Sequence, residues 1–361
     1  MRLFFIADRI LIEYFYISLP LNSYLDTLTH IVLGACIGEA IAGKQLGKKA
    51  LLLGALAQNI PDIDIAASFW LPTTADLLAH RGFTHSILFA LLLSPLLARL
   101  SARMFSSSGM TSRRWLYFWC IQILIHIFID AFNAYGTGWF EPFSHYRISF
   151  NTLFVADPLL SIWPLVAFLV LLVKRKNYNK RKFWSLLALS LSSAYLLLSI
   201  SFKLVIDNRV AQNLKNNNES YSRFFTTPTP LNILLWYVVV QKDSGYSTGY
   251  SSILDSHPVM NYHYSSRNES LLSMPCDTTD KKNLIRFSQG YYTAELRHDS
   301  LVFNDLRFGE ILGWEREHPQ PVFYYYLQYP GSNKLIVQRG RFAGWDKAAF
   351  KRFIRRIRGL R

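Results

Sequence analysis

Hydrophobic residues gather into six runs within the first 206 residues. Phe183–Ile206 is the cleanest, and Leu153–Val173 is nearly as apolar, with Asp157 at its start. Trp115–Phe132 is apolar apart from Gln122, His126 and Asp130. Phe83–Leu100 carries His85, a few hydroxyls and a terminal Arg99. Leu25–Ala42 holds His30 and Glu39, and Ala50–Leu71 begins apolar before it meets Asn59, Pro61, Asp62 and Asp64. Runs near 20 residues are what about 30 Å of hydrocarbon requires. The pattern predicts about six membrane-embedded helices. The second is expected to be broken or re-entrant, because irregular backbone at that depth must be satisfied by protein or water.

After Ile206 the pattern turns polar, Tyr-rich and strand-like. Leu231–Gln241, the turn Asp243-Ser244-Gly245 and Tyr246–Leu254 read as a hairpin. Leu284–Ser288, Tyr291–Arg297, Leu301–Phe308, Val322–Tyr329 and Lys334–Gln338 read as further antiparallel strands. Gly344–Arg358 reads as a basic amphipathic helix with Trp345, Ala349, Phe350, Phe353, Ile354 and Ile357 on one face. It is expected to cap the strands, the alternative being a helix lying on anionic headgroups. The predicted fold is an α-helical multi-pass membrane domain followed by a smaller, mainly antiparallel β (α+β) soluble domain. Residues 1–24 form an N-terminal extension (an interfacial or extra helix), residues 25–206 the membrane-embedded domain, and residues 207–361 the strand-rich domain with its tail helix.

Composition adds a topology. The chain is 51% hydrophobic and 17% charged, yet its net charge is +15. That excludes a disordered chain, and three cysteines exclude a disulfide scaffold. A basic balance suits either a nucleic-acid binder or a membrane protein with positive inside loops. Residues 207–361 carry 21 Lys and Arg against 14 Asp and Glu, a surplus of 7 that leaves 8 for the first 206 residues. The basic residues of that first part lie mainly in three short loops: Lys44 to Lys49, Arg99 to Arg114, and Lys174 to Lys182. With six crossings all three fall on one side, which the positive-inside rule makes cytoplasmic. The loops at 72–81 and 134–152, and everything after Ile206, then lie outside the cytoplasm, where no nucleic-acid partner is expected.

Ionisable groups inside apolar segments are costly and point to function. Asp26 and His30 stand one helical turn apart, as do His126 and Asp130. Asp62 and Asp64 sit close together, and His80, Arg81, Thr84, His85 and Ser86 surround the start of the third run. The topology brings these four clusters to one membrane face. Imidazoles and carboxylates gathered there suit Zn²⁺, Mn²⁺ or Fe²⁺. The candidate ligands are His30, Asp62, Asp64, His80, His85, His126 and Asp130. Asp26, Thr29, Thr84, Ser86 and Asp157 would support them. Their surplus over the four ligands of one zinc suggests two ions, or one ion with a rich supporting shell. Asp64 or Asp130 would serve as a base, and Arg81 would hold an anionic oxygen. Asp26 and Asp157 also fit simple helix caps.

The strings Asp26-Thr-Leu-Thr-His30, Gly54-Ala-Leu-Ala-Gln-Asn-Ile-Pro61-Asp62-Ile-Asp64 and His80-Arg81-Gly-Phe-Thr84-His85-Ser86 resemble the membrane-bound metal-dependent hydrolase family around YdjM and YfhP. The resemblance continues through His126 to Asp130, Tyr135-Gly136-Thr137, Arg147 and Asp157-Pro158. It implies a multi-pass protein of the bacterial cytoplasmic membrane with a hydrolytic metal site. A metal-activated water would attack a phosphoester or phospholipid-like substrate at the outer leaflet. The expected cofactor is a divalent metal, Zn before Mn or Fe, as one or two ions. The expected partners are the bilayer and an envelope phosphoester. A metal- or proton-coupled transporter and a metal-stabilised envelope scaffold are the non-catalytic alternatives. An intramembrane metalloprotease is disfavoured by the lack of a His-Glu-x-x-His string.

Overall fold

The structure, a computed structural model, describes residues 21–155, 157–174, 178–256, 260–274, 276–297, 299–327, 342 and 344–360, with side chains from residue 26 onward. The N-terminal residues 1–20, part of the third basic loop and the expected strand Lys334–Gln338 lie outside the described residues.

All six apolar runs become helical. Helix α1 (Leu21–Leu46) turns at Gly47, which has a left-handed φ of 59°, and α2 (Lys48–Gln58) runs back along it. The two backbones touch. A Cβ on Gly54 would strike the carbonyl oxygen of Gly34, and one on Gly38 would strike that of Ala50. Small residues at such crossings let helices pack without a hydrophobic driving force between them. After α2 the chain bends by 53° into a 3₁₀ segment, Pro61–Phe69, with Pro61 at its first position. This is the break expected in the second run. Helix α3 (Thr73–Ala79) follows. Ser86 caps α4 (Ile87–Met104), Thr111 caps α5 (Ser112–Asp130) and Asp157 caps α6 (Pro158–Val173).

Helix α7 (Arg181–Asn216) is the longest, at 36 residues. At 1.5 Å per residue it reaches about 54 Å, well beyond a bilayer core. Its last third leaves the apolar stretch and packs Ile206, Val210 and Leu214 against Trp236, Val238 and Val240. Among the described residues, α4 and α7 are long and apolar enough to cross a membrane, and α2 with its 3₁₀ continuation makes a third if counted as one broken span. Helix α6 is strongly apolar but has 16 residues.

Glu39 of α1 and Arg181 of α7 form a buried two-pronged ion pair, with Nε–Oε1 at 2.9 Å and Nη2–Oε2 at 2.7 Å. Arg181 also donates to the carbonyl of Leu171 at the end of α6. The acid that weakens the first apolar run and one cation of the third basic loop thus cancel each other inside the bundle.

The strand-rich part holds two antiparallel sheets. Strands β1 (Arg223–Pro228), β2 (Leu235–Gln241), β3 (Gly245–Ser252) and β4 (His263–Ser266) pair in chain order. The expected hairpin is β2–β3, with Val238 opposite Gly249. Helix α8 (Thr278–Phe287) precedes β5 (Tyr292–Arg297), β6 (Ser300–Glu310) and β7 (Pro321–Tyr326), which form the second sheet. The expected strand Leu284–Ser288 is therefore the end of a helix. Asp277 nucleates it by accepting from the backbone N–H groups of Thr279 and Asp280, and Leu284 and Phe287 fill the core of the second sheet. The tail helix α9 (Lys347–Ile357) buries Phe353 and Ile357 among Leu235, Tyr237 and Leu306, as a cap on the strands would. The strand-rich part meets the helices at α3 and the 134–147 loop, through Thr74–Asp280 and Arg307–Ala134 hydrogen bonds.

Two outcomes follow from this packing. Removing one partner of the Glu39–Arg181 pair (Arg181→Met) leaves a buried charge and should destabilise the bundle by about 3–5 kcal/mol, with Glu39→Gln/Arg181→Met recovering much of that loss in unfolding measurements on detergent-solubilised protein. The second concerns Glu310, buried under Thr248 and Tyr250, which donate to it at 2.8 and 3.3 Å. Burial pushes its carboxyl up from 4.5 to about 7. The folded chain then holds a proton that the unfolded chain releases, so this stabilisation is complete below pH 4.5 and lost as pH rises through 7. The loss should approach about 3 kcal/mol. Unfolding of the strand-rich part should become easier across that range, and Glu310→Gln should flatten the dependence.

Candidate metal centre

Apart from His30, which lies within α1, the side chains of the centre come from element ends and turns. His30 lies on α1, where the close α1–α2 crossing sets it against Gln58, with Nδ1 3.4 Å from Oε1. The 3₁₀ segment presents Asp62 and Asp64. The turn after α3 carries His80 and Arg81, and the short 3₁₀ turn Phe83–His85 carries His85. The last turn of α5 supplies His126 and Asp130 on one face. His30, His85, His126 and Asp130 are all 0–1% exposed.

Four atoms converge. His85 Nε2 and His126 Nε2 face each other at 3.1 Å. Asp62 Oδ1 stands 3.5 Å from each of these nitrogens. Asp130 Oδ2 stands 3.2 Å from His85 and 3.5 Å from His126. Five edges of a small tetrahedron are thus 3.1–3.5 Å long. Bonds of 2.0–2.1 Å from a tetrahedral ion to nitrogen and oxygen require corners about 3.3–3.4 Å apart. The unfilled chemistry agrees. Two facing imidazole nitrogens share at most one proton, and buried Asp130 Oδ2 stands 3.2–3.5 Å from His85, His126 and Arg81 Nε without an aligned hydrogen bond to any of them. Asp62, His85, His126 and Asp130 therefore fit a divalent ion, and all four were expected from the sequence.

Asp64 and His80 stand one layer back. Asp64 accepts from the backbone N–H of Arg81 at 2.8 Å and the hydroxyl of Thr84 at 2.7 Å, and lies 3.0 Å from His80 Nδ1 and 3.1 Å from His85 Nδ1. A carboxylate on Nδ1 fixes the tautomer that leaves Nε2 of His85 free to ligate. With both oxygens engaged, Asp64 orients a ligand and has no free oxygen to act as base. The 3₁₀ geometry explains the separation of two acids only two residues apart.

Arg81 is buried and adopts a left-handed backbone, φ 58°. Its Nη2 donates to Asp26 Oδ2 at 2.5 Å and its Nη1 to Asn133 Oδ1 at 2.9 Å, while Nε lies 3.2 Å from Asp130 Oδ2. Its donors face protein groups. The expected grip on a substrate phosphate is not the role this geometry supports. His30 Nε2 lies 3.1 Å from Asp130 Oδ1, completing the surround of that carboxylate.

The other expected supports hold helices. Ser86 accepts from Phe89 N as the α4 cap, and Asp157 accepts from Leu159 N at 2.9 Å and from the Tyr195 hydroxyl at 2.9 Å. Thr29 meets Ser161 of α6 at 2.6 Å. Three residues not singled out as site residues matter here: Gln58, Asn133 and Arg147. Arg147 donates to the carbonyls of Leu78 and His80 at 2.9 and 2.6 Å and so clamps the His80–Arg81 turn. Asn133, three residues beyond Asp130, was signalled only by its place one turn on from that acid. A cavity of about 20 Å³ beside the centre is lined by Asp26, Thr29, Asp130, Asn133 and Asp157, room for a single water.

Among proteins of known sequence the chain is similar to the inner membrane protein YbcI of Escherichia coli (strain K12), 31% identical over 122 residues, which cover 33% of this chain and 69% of that protein. It is also similar to the uncharacterized protein YfhP of Bacillus subtilis (strain 168), 30% identical over 152 residues, which cover 40% of this chain and 45% of YfhP. No solved structure matches. The sequence profile described as YdjM inner membrane protein matches residues 25–206, half of the chain and the whole stretch that builds the metal centre, and the chain belongs to that family.

Proposed function

We propose that the protein is a multi-pass enzyme of the bacterial cytoplasmic membrane that uses one divalent metal, zinc foremost, to hydrolyse an amphiphilic phosphoester such as a phospholipid headgroup. The observation that carries this reading is the tetrahedron of Asp62, His85, His126 and Asp130, whose edges match those around an ion and whose two imidazole nitrogens face each other at 3.1 Å. A divalent ion held there lowers the pKa of a water molecule and polarises an ester oxygen. The chain's own residues would do the rest. Asp62, at 15% the most exposed corner, is placed to take the proton of an incoming water. His80, one-third exposed and 3.0 Å from Asp64, would return a proton to the leaving group.

The substrate class rests on the rim. Phe69 (87% exposed), Trp70, Phe143 and Tyr146 project from the segments that flank the His80–His85 turn. Exposed aromatic rings of this kind mark the headgroup level of a bilayer. In this reading the six helical runs are membrane-embedded, the basic loops are cytoplasmic, and the strand-rich part stands outside, over the site, as an extracytoplasmic cover.

One observation favours a second reading. Four protein ligands complete a tetrahedron, which is the usual form of a structural zinc site. A metal-stabilised envelope scaffold would then need no turnover.

Purified protein should carry bound zinc or manganese, and Asp62→Asn and His85→Ala should each lower metal affinity and abolish phosphodiester hydrolysis in mixed micelles. Asp64→Asn, which removes the carboxylate that orients His85 from behind, should weaken metal binding by about 10–100-fold. Metal-free protein with full turnover contradicts the proposal. Metal-dependent thermal stability with no hydrolysis of any phosphoester tried selects the scaffold.

A further inference from the structure

A second triad, Asp26, His30 and Asp130, adjoins the tetrahedron and shares Asp130 with it. A carboxylate common to two ligand sets is the usual bridge of a two-metal centre, whose ions stand about 3.5–4 Å apart. The chain fills that second place with something else. The Arg81 guanidinium lies between the two acids, 2.5 Å from Asp26 Oδ2 and 3.2 Å from Asp130 Oδ2. His30 is engaged at both ring nitrogens, with Nε2 3.1 Å from Asp130 Oδ1 and Nδ1 3.4 Å from Gln58 Oε1.

We infer that Arg81 stands in the place of a second metal ion, so that the centre takes one divalent ion per chain with the guanidinium as its fixed neighbouring cation. This rests on the metal-centre reading above. Arg81 is not a side chain that swings in with substrate. Its backbone N–H is held by Asp64 at 2.8 Å, its carbonyl accepts from Gly138 N at 2.8 Å, and Arg147 clamps the carbonyl of the residue before it. Those bonds hold a non-glycine residue in a left-handed conformation, which persists only where its surroundings enforce it. The guanidinium also packs over the Tyr135 ring at 5.4 Å. One positive charge is thereby installed beside Asp130 that no chelator can remove. It carries half the charge of a second ion and leaves Asp26 unavailable as a ligand.

The test uses the full chain in detergent, stripped of metal, loaded with Mn²⁺ and freed of excess. Metal content and electron paramagnetic resonance are then read together. The wild type should hold one Mn²⁺ per chain with the spectrum of an isolated ion. Arg81→Ala should free Asp26 and Asp130, raise the content to two and give the spectrum of a coupled pair. Asp26→Asn should leave the wild-type value of one unchanged, a result that stands even if the arginine variant does not fold. Two coupled ions in the wild type, a single ion in folded Arg81→Ala, or a fall in content on Asp26→Asn would each overturn the inference while leaving the metal centre intact. No bound ion in the wild type would overturn the metal-centre reading, and this inference with it.

Discussion

The Asp130 carboxylate is the constraint around which the helical part is arranged. It is 1% exposed, at the end of α5, and a bare carboxylate in that setting is costly. Its oxygens are approached by His30 from α1, Arg81 from the turn after α3, His85 from the turn before α4 and His126 from its own helix. Each of those groups needs an element to carry it there. The close glycine crossing of α1 and α2, the 53° bend between α2 and the 3₁₀ segment, and the clamped His80–Arg81 turn all serve that convergence.

The same logic recurs at a distance. Glu39 and Arg181 neutralise each other where α1, α6 and α7 meet, and Asp305 with Arg307 forms a buried pair beside the 134–147 loop. In both pairs each charge meets its opposite. The Asp62, His85, His126 and Asp130 tetrahedron departs from that habit, since its atoms face one another without enough protons to go round. That departure is what makes the set fit a divalent ion.

Much of the site was legible in the sequence because helical spacing is local. Asp26 with His30, and His126 with Asp130, advertise a shared face by a separation of four residues. The six apolar runs likewise announce helices, and Gly245 with its flanking alternation announces the β2–β3 hairpin. What remained hidden depends on tertiary geometry or on irregular backbone. Whether Asp62 or Asp64 ligates is decided by a 3₁₀ turn, which rotates them apart. The role of Arg81 is decided by a left-handed residue and by Asn133. The Glu39–Arg181 pair joins residues 142 apart, beyond any periodicity. Helix α8 was masked because Leu284, Ile285 and Phe287 suit a strand as well as a helix, and the cap at Asp277 lay outside the apolar stretch.

Two imidazoles and two carboxylates of this chain are arranged to hold a divalent ion. X-ray absorption at the metal edge of the purified full-length protein tests that binding most directly. The spectrum should show a first shell of nitrogen and oxygen at about 2.0–2.1 Å with the outer-shell scattering of two imidazoles, lost on His126→Ala. A shell containing sulfur, a shell of water alone, or an unchanged spectrum in that variant would contradict this ligand set.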